Sequence, residues 1–308
     1  MEYQFSKIVD PSSFDSQGLI SDIPVRKNLF SEAEYVGTFR AQEDWNVLVA
    51  PLGEFKGGLD PTYPLMSVDV PECRPERLEM VAYGNEFAFL YDDAIESMAH
   101  DQAQMFREMA AIDRPRAMVT MKAWAEFLRL TSSRDRQKQF ESLEEYIPFR
   151  VWDVGQMHMF GLITFGMALT IPESDMDMCN KDTASACAAI ALANDLFSWE
   201  KERDLAKRDN LPHIVNAVWV IMGQYSVSEE EAKKICHAKV VELVEEYKET
   251  VERYKKDQSI CLDLKKYVES LLYNISGNLI WSLTCPRYNP GTELNSCQRW
   301  MQKRLTQP

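Results

Sequence analysis

Apolar residues recur at three- and four-residue spacing through long segments of this 308-residue chain, and almost no stretch alternates as a half-buried strand does. That period calls for an all-α fold. Some segments are apolar nearly all round: ASACAAIALA from Ala184 to Ala193, and NISGNLIWSL from Asn274 to Leu283. A helix without a polar face must be wrapped by others, so the chain is expected to form one helical bundle. Helices are expected at roughly Ser31–Val49, Glu76–Ile112, Arg114–Thr131, Arg136–Leu169, Asp175–Leu205, Pro212–Tyr225, Glu229–Tyr254 and Ser259–Thr284, with prolines at several of the breaks. No repeat or Gly/Ser linker divides the sequence, which favours a single domain over residues 1–308.

With 45% hydrophobic and 11% aromatic residues, the chain can bury a large core. A formal charge of -14 argues against a nucleic-acid partner, because phosphate backbones are held by basic patches. Seven cysteines without C-x-x-C spacing indicate neither a disulfide framework nor a zinc site, and a reducing, cytoplasmic setting is expected. The opening MEYQFSKIVD has no signal-peptide pattern, and the longest apolar run, Phe160 to Ile171, is too short to span a bilayer. The sequon at Asn274 lies in an apolar helical stretch and reads as accidental.

Two stretches carry oxygen ligands where an apolar helix ends. In GNEFAFLYDDAIES, Asp92, Asp93 and Glu96 follow an aromatic run. Asp92 and Glu96 share a face, which read backwards carries Phe89, Ala88 and Asn85. Like charges this close repel unless a cation lies between them. The competing reading is an acidic helix end in solvent. In ANDLFSWEKERD, Asn194, Ser198 and Glu202 drift by only about 80° over their span and line one side of a helix. Since helical side chains lean toward the amino terminus, these three can reach one ion, and magnesium suits hard oxygen donors that leave room for water and phosphate. A capping box competes here, but Asn194 follows an apolar run, and Lys201 stands where a box starting at Ser198 wants Glu.

Two all-oxygen sites on separate helices of an apolar bundle point to a substrate with a polyanionic head and an apolar tail. A prenyl diphosphate has that shape. Magnesium would make the diphosphate a good leaving group, and aromatic faces would steady the cation left behind.

The segments RAQEDWN, VPECRPERLE, NEFAFLYDD, YIPFRVWDVG, ANDLFSWEKERD, HIVNAVWV and SGNLIWSLTCPRYNP together resemble the cyclase domains of the fungal chimeric terpene synthases, from the first residues to about Asn295. The resemblance implies a class I terpene synthase bundle, with two magnesium ions on the Asp92, Asp93, Glu96 motif and a third on Asn194, Ser198 and Glu202. It further implies a diphosphate-sensing Arg150, linker and effector positions at Asp153 and Val154 on a helix break, and diphosphate donors at Lys201, Arg287 and Tyr288. Each of those basic residues could instead be an ordinary solvated charge. Phe89 and Trp281 are favoured for the cavity wall, Phe87 and Trp219 are as well explained as core, and His100, His158, His213 and His237 read as structural.

Three departures from the family pattern stand out. Glu96 replaces the usual Asp, the stretch after His100 is much shorter than the family's charged loop, and relatives continue past this length into a prenyltransferase domain. The implied reaction is cyclisation of geranylgeranyl diphosphate to a polycyclic diterpene hydrocarbon by a chain that makes no substrate of its own. Geranylfarnesyl diphosphate is the alternative substrate, and Leu65 takes a position that an aromatic fills in a twenty-carbon relative. A homodimer is an open arrangement. Two rivals are a chain-elongating prenyltransferase, which would need a second DDxxD motif in place of Asn194, Ser198 and Glu202, and a non-catalytic helical scaffold.

Overall fold

The computed structural model describes residues 2–20, 22–52, 57–94, 103–132 and 138–305. Two short strands, β1 (Ser6–Ile8) and β2 (Arg26–Asn28), pair antiparallel with Ser6 opposite Asn28. All other regular structure among the described residues is helical. The α-helices are α1 (Glu32–Leu48), α2 (Leu65–Asp69), α3 (Pro75–Ala94), α4 (Ala103–Ser132), α5 (Leu143–Asp153), α6 (Gln156–Gly166), α7 (Met176–Asp182), α8 (Ala184–Arg208), α9 (Ala217–Tyr225), α10 (Glu229–Lys256), α11 (Leu262–Thr284) and α12 (Ser296–Leu305). None is long and apolar enough to cross a membrane.

The expected Glu76–Ile112 segment is helical on both sides of residues 95–102, which lie outside the described residues together with Glu96 and His100. The break expected before Arg114 appears inside α4 as a non-helical Asp113 at φ -155°, ψ 88°. Pro115 follows two residues later, lacking an N–H and restricting its predecessor. The Asp113 carboxylate is held there by Arg77 at 2.9 Å and Arg116 at 2.6 Å.

Four boundaries differ from expectation, three of them for a local reason. Residues 138–142 are not helical, because Ser142 is extended and its hydroxyl accepts the Glu145 N–H at 3.3 Å, capping α5. The long segment expected to end at Leu169 is cut between α5 and α6 by Gly155 at φ 80°, a conformation glycine reaches without a Cβ clash. The Asp175–Leu205 segment divides at Thr183 into α7 and α8. Finally, α9 starts at Ala217 and not Pro212, because Asn216 is extended and its side chain accepts the Val218 N–H at 2.8 Å.

The two all-apolar segments lie where expected. In α8, Ala186, Ala188, Ala189, Ala191 and Leu192 are buried against α10 and α11, and in α11 nearly every residue from Tyr267 to Ser282 is buried. Small side chains on α8 permit this close approach, and the surrounding core is continuous from Leu19 to Cys285. Helix α2 has no cap of its own, since Pro64 precedes it. Glu34 of α1 supplies one, accepting the N–H groups of Met66 at 2.8 Å and Ser67 at 2.6 Å and the Ser67 hydroxyl at 2.6 Å. Burial pushes the Glu34 carboxyl up to about 7, against those donors. This anchor fixes α2, which turns Leu65 and Asp69 toward the interior cavity.

Candidate active site

A cavity of about 740 Å³ runs between α2, α3, the α5–α6 break, α8 and α11. Helix α3 contributes Asn85, Ala88, Phe89 and Asp92, a single stripe at helical spacing that ends in the carboxylate. From α8 come Ile190, Asn194, Lys201 and Glu202, and from α11 and the segment after it Asn274, Asn278, Trp281, Arg287 and Tyr288. The α5–α6 break adds Arg150, Asp153 and Val154, and α2 adds Leu65. The structure therefore gathers most of the residues singled out in the sequence around one space.

Ser198 is placed differently from its neighbours Asn194 and Glu202. It is buried at 2% exposure, does not line the cavity, and donates its hydroxyl to the Asp195 carbonyl at 3.5 Å. Asp93 is described only through the backbone of α3.

Arg150 is the electrostatic hub. Its Nε donates to Asp195 at 2.7 Å, one Nη to Asp153 at 2.7 Å and the other to the Asn194 amide oxygen at 3.0 Å. Burial works against its charge, but Asp195, Tyr146, Asp153 and Glu202 outweigh that cost and raise its pKa further above the usual value. Asp195, which the motif reading left without a role, is fully buried and also accepts the Tyr146 hydroxyl at 2.7 Å and the Ala217 N–H at 2.8 Å. Burial pushes its carboxyl up to about 6, with Arg150 pulling the other way. Asn216 ties the same region together, donating to the Asp195 carbonyl at 2.8 Å and to Glu202 at 3.0 Å.

The aromatic wall is built by Phe89 and Trp281, stacked with centroids 5.8 Å apart. Tyr288 meets Trp281 edge-on at 5.3 Å, and the Arg287 guanidinium lies 4.8 Å from the Phe89 ring centre. Asn194 donates to the Tyr288 hydroxyl at 2.9 Å, linking this wall to helix α8.

The other aromatic and histidine positions sort differently. Phe87 is core, packed with Trp45, Tyr83 and Trp124, and Trp219 is 39% exposed on α9. His158 and His213 line the cavity, although the sequence offered no reason to choose them. His158 sits against the Gly84 carbonyl at 3.3 Å and edge-on to Trp124, and burial lowers it to about 4, so it is neutral near pH 7. Asp69, Asn274 and Asn278 were also missed. Asn274 donates to the buried Asp69 at 2.9 Å. The polar pair Asn274 and Asn278 in a largely apolar stretch of α11, two turns and one turn before Trp281, was the available signal.

The donor set fits a hard divalent cation. Asp92, Asn194 and Glu202, which carry carboxylate and amide oxygens, line one cavity whose lining holds no cysteine, a donor set that suits a hard cation. Among the described residues no three His, Cys, Asp or Glu side chains gather at one point; the oxygens come from different helices.

Residues 69–246 match the family model described as terpene synthase family 2, C-terminal metal binding. Fusicoccadiene synthase of Phomopsis amygdali is 42% identical over 99% of this chain and 48% of its own length. A bifunctional type I diterpene synthase of Aspergillus flavipes is 38% identical over 98% of this chain and 44% of its own. The chain thus spans about half the length of these relatives. Among solved structures, aristolochene synthase from Penicillium roqueforti superposes with a TM-score of 0.67 at 19% identity, covering 81% of this chain and 94% of that one.

Proposed function

The chain belongs to the terpene synthase family, and from that premise we propose that it is a magnesium-dependent class I cyclase that converts geranylgeranyl diphosphate to a polycyclic diterpene hydrocarbon. The observation that carries this reading is the cavity itself. Its lining includes Asp92, Asn194, Glu202, Arg150, Lys201 and Arg287 together with the stacked Phe89 and Trp281. A polyanionic head and an apolar chain would each find complementary chemistry, and the volume lies within the usual range of small-molecule sites.

In this reading Asp92, Asp93, Glu96, Asn194 and Glu202 would hold three magnesium ions, joined by Ser198 on release of its hydroxyl from the Asp195 carbonyl, and the ions would supply charge neutralisation for the departing diphosphate. Arg150, Lys201, Arg287 and Tyr288 bind the diphosphate oxygens, the arginines through their planar forks. Arg150 is already bonded to both Asp153 and Asn194, so engaging a diphosphate would pull on the α5–α6 break at Val154 and on the α8 donors together. Phe89 and Trp281 present ring faces to the cation, and Leu65 bounds the folded chain.

We further propose that residues 1–308 form one cyclase unit, that it acts in the cytoplasm, where its free thiols remain reduced, and that a prenyltransferase domain supplies its substrate in a longer protein. Geranylfarnesyl diphosphate is the alternative substrate. Incubation with magnesium and each diphosphate, followed by gas chromatography and phosphate analysis, tests these statements. A cyclic twenty-carbon hydrocarbon is expected, and no diphosphate release from either substrate would overturn the reading.

A further inference from the structure

Glu86 lies on α3 but does not line the cavity. It is completely buried and accepts two hydrogen bonds, from Gln42 of α1 at 2.6 Å and from the Gly58 N–H at 2.8 Å. Burial holds its carboxyl up to about 7, opposed by those two donors and by the charge of Arg287. The backbone passes so close that a Cβ on Gly57 would fall 1.9 Å from a Glu86 oxygen, and Gly57 has φ 43°. At Gly58 the carbonyl accepts the Trp281 indole N–H at 3.0 Å, and a Cβ on it would meet Glu86 at 3.3 Å and Asn85 and Phe89 at 3.4 Å. A line of contacts therefore runs from Glu86 through the two backbone polar groups of one residue, Gly58, to the stacked pair on the cavity wall.

We propose that Glu86 is a positioning residue for product specificity, fixing the plane of Trp281 through Gly58. The inference rests on the cyclase reading above. Trp281 is packed against Phe89 and Tyr288, and because the terminal torsion of an indole is broad, the hydrogen bond of its single N–H donor adds the restraint that selects one ring orientation within that packing. Here the anchor is a carbonyl in a segment otherwise tied to α3 by Glu86. The ring face shown to a carbocation decides which cationic carbon is stabilised, and the competing steps that follow differ by small barriers. Turning Trp281 thus changes the partition among products without touching the residues proposed to bind the diphosphate.

The test compares diphosphate release and product profile in the same reactions. Glu86→Gln keeps an acceptor for Gly58, with Gln42 turning its amide to match, and should give the wild-type profile. Glu86→Leu should shift the main product ratio about fivefold or more, equivalent to roughly 1 kcal/mol between competing barriers, while diphosphate release stays within about twofold. A second variant needs no change at Glu86: replacing Trp281 by its benzothienyl isostere keeps the ring shape but removes the N–H, and should shift the ratio in the same direction. Proportional loss of release and all products in Glu86→Leu, or an unchanged profile with the isostere, would overturn the proposal. Absence of diphosphate release from the wild type would instead remove the cyclase reading on which it rests.

Discussion

Asp195→Asn is the substitution with the sharpest expected consequence. The carboxylate is fully buried and accepts from Arg150, Tyr146 and Ala217. All three partners are donors, so an amide in its place must turn an N–H toward at least one of them. It also leaves the Arg150 guanidinium, itself buried, with Asp153 as its remaining bonded carboxylate. Removing one partner of a buried ion pair costs about 3–5 kcal/mol. For a chain of 308 residues, an unfolding entropy of about 2.1 cal/mol/K per residue converts this to a fall in Tm of about 5–8 °C. Thermal melting followed by far-UV circular dichroism reads that shift, and diphosphate release at a temperature where the variant is folded should fall strongly because Arg150 is no longer aimed. A Tm within about 1 °C of wild type would refute the energetic argument. Normal release by a destabilised variant would separate Asp195 from the sensing role of Arg150.

Three further outcomes are expected. Asp92→Asn and Asn194→Ala should each abolish turnover while the helical dichroism persists, and near-normal activity in either would remove that residue from the metal site. His158 is lowered from 6.5 to about 4 in the folded chain, so between those values the unfolded chain binds more protons and stability must rise with pH through that window. The gain is on the order of 3 kcal/mol, and it should be missing from the pH profile of His158→Phe and so appear in the difference between the two curves; parallel pH profiles for the two proteins would contradict it. Phe89→Ala should alter the product mixture more than it lowers Tm, as gas chromatography beside a thermal melt would show, and an unchanged mixture would make Phe89 ordinary core.

The elements most legible in the sequence were those whose cause is local. The helical period located α1, α10 and α11 to within a few residues, and the spacing of Asn194 and Glu202 brought both to one side of α8 facing the cavity. Ser198 shares that spacing but is buried, because one hundred degrees per residue fixes direction around a helix and not which neighbour covers it. The start of α5 was readable from Ser142 and Glu145 and was passed over in favour of the apolar period. The roles of Glu34, Asp195 and Glu86 were not legible. Each acts across the fold, on Met66 and Ser67, on Arg150 and Ala217, and on Gly58 respectively, and no local spacing records such a contact. Asp69 meets Asn274 across 205 positions of chain for the same reason.

The close packing of α8 has a practical corollary for anyone seeking new ring systems from this scaffold. Its buried alanines are enclosed by α10 and α11, and enlarging one of them would cost about 1–3 kcal/mol in overpacking. Leu65 and Phe89 border empty volume instead, where added or removed bulk changes the mould at little expense to the fold. A mutational library should therefore be spread unevenly, dense on α2 and α3 and sparse on α8. Its survivors should map the cavity contour from one side, with α8 acting as the fixed wall against which every variant shapes its product.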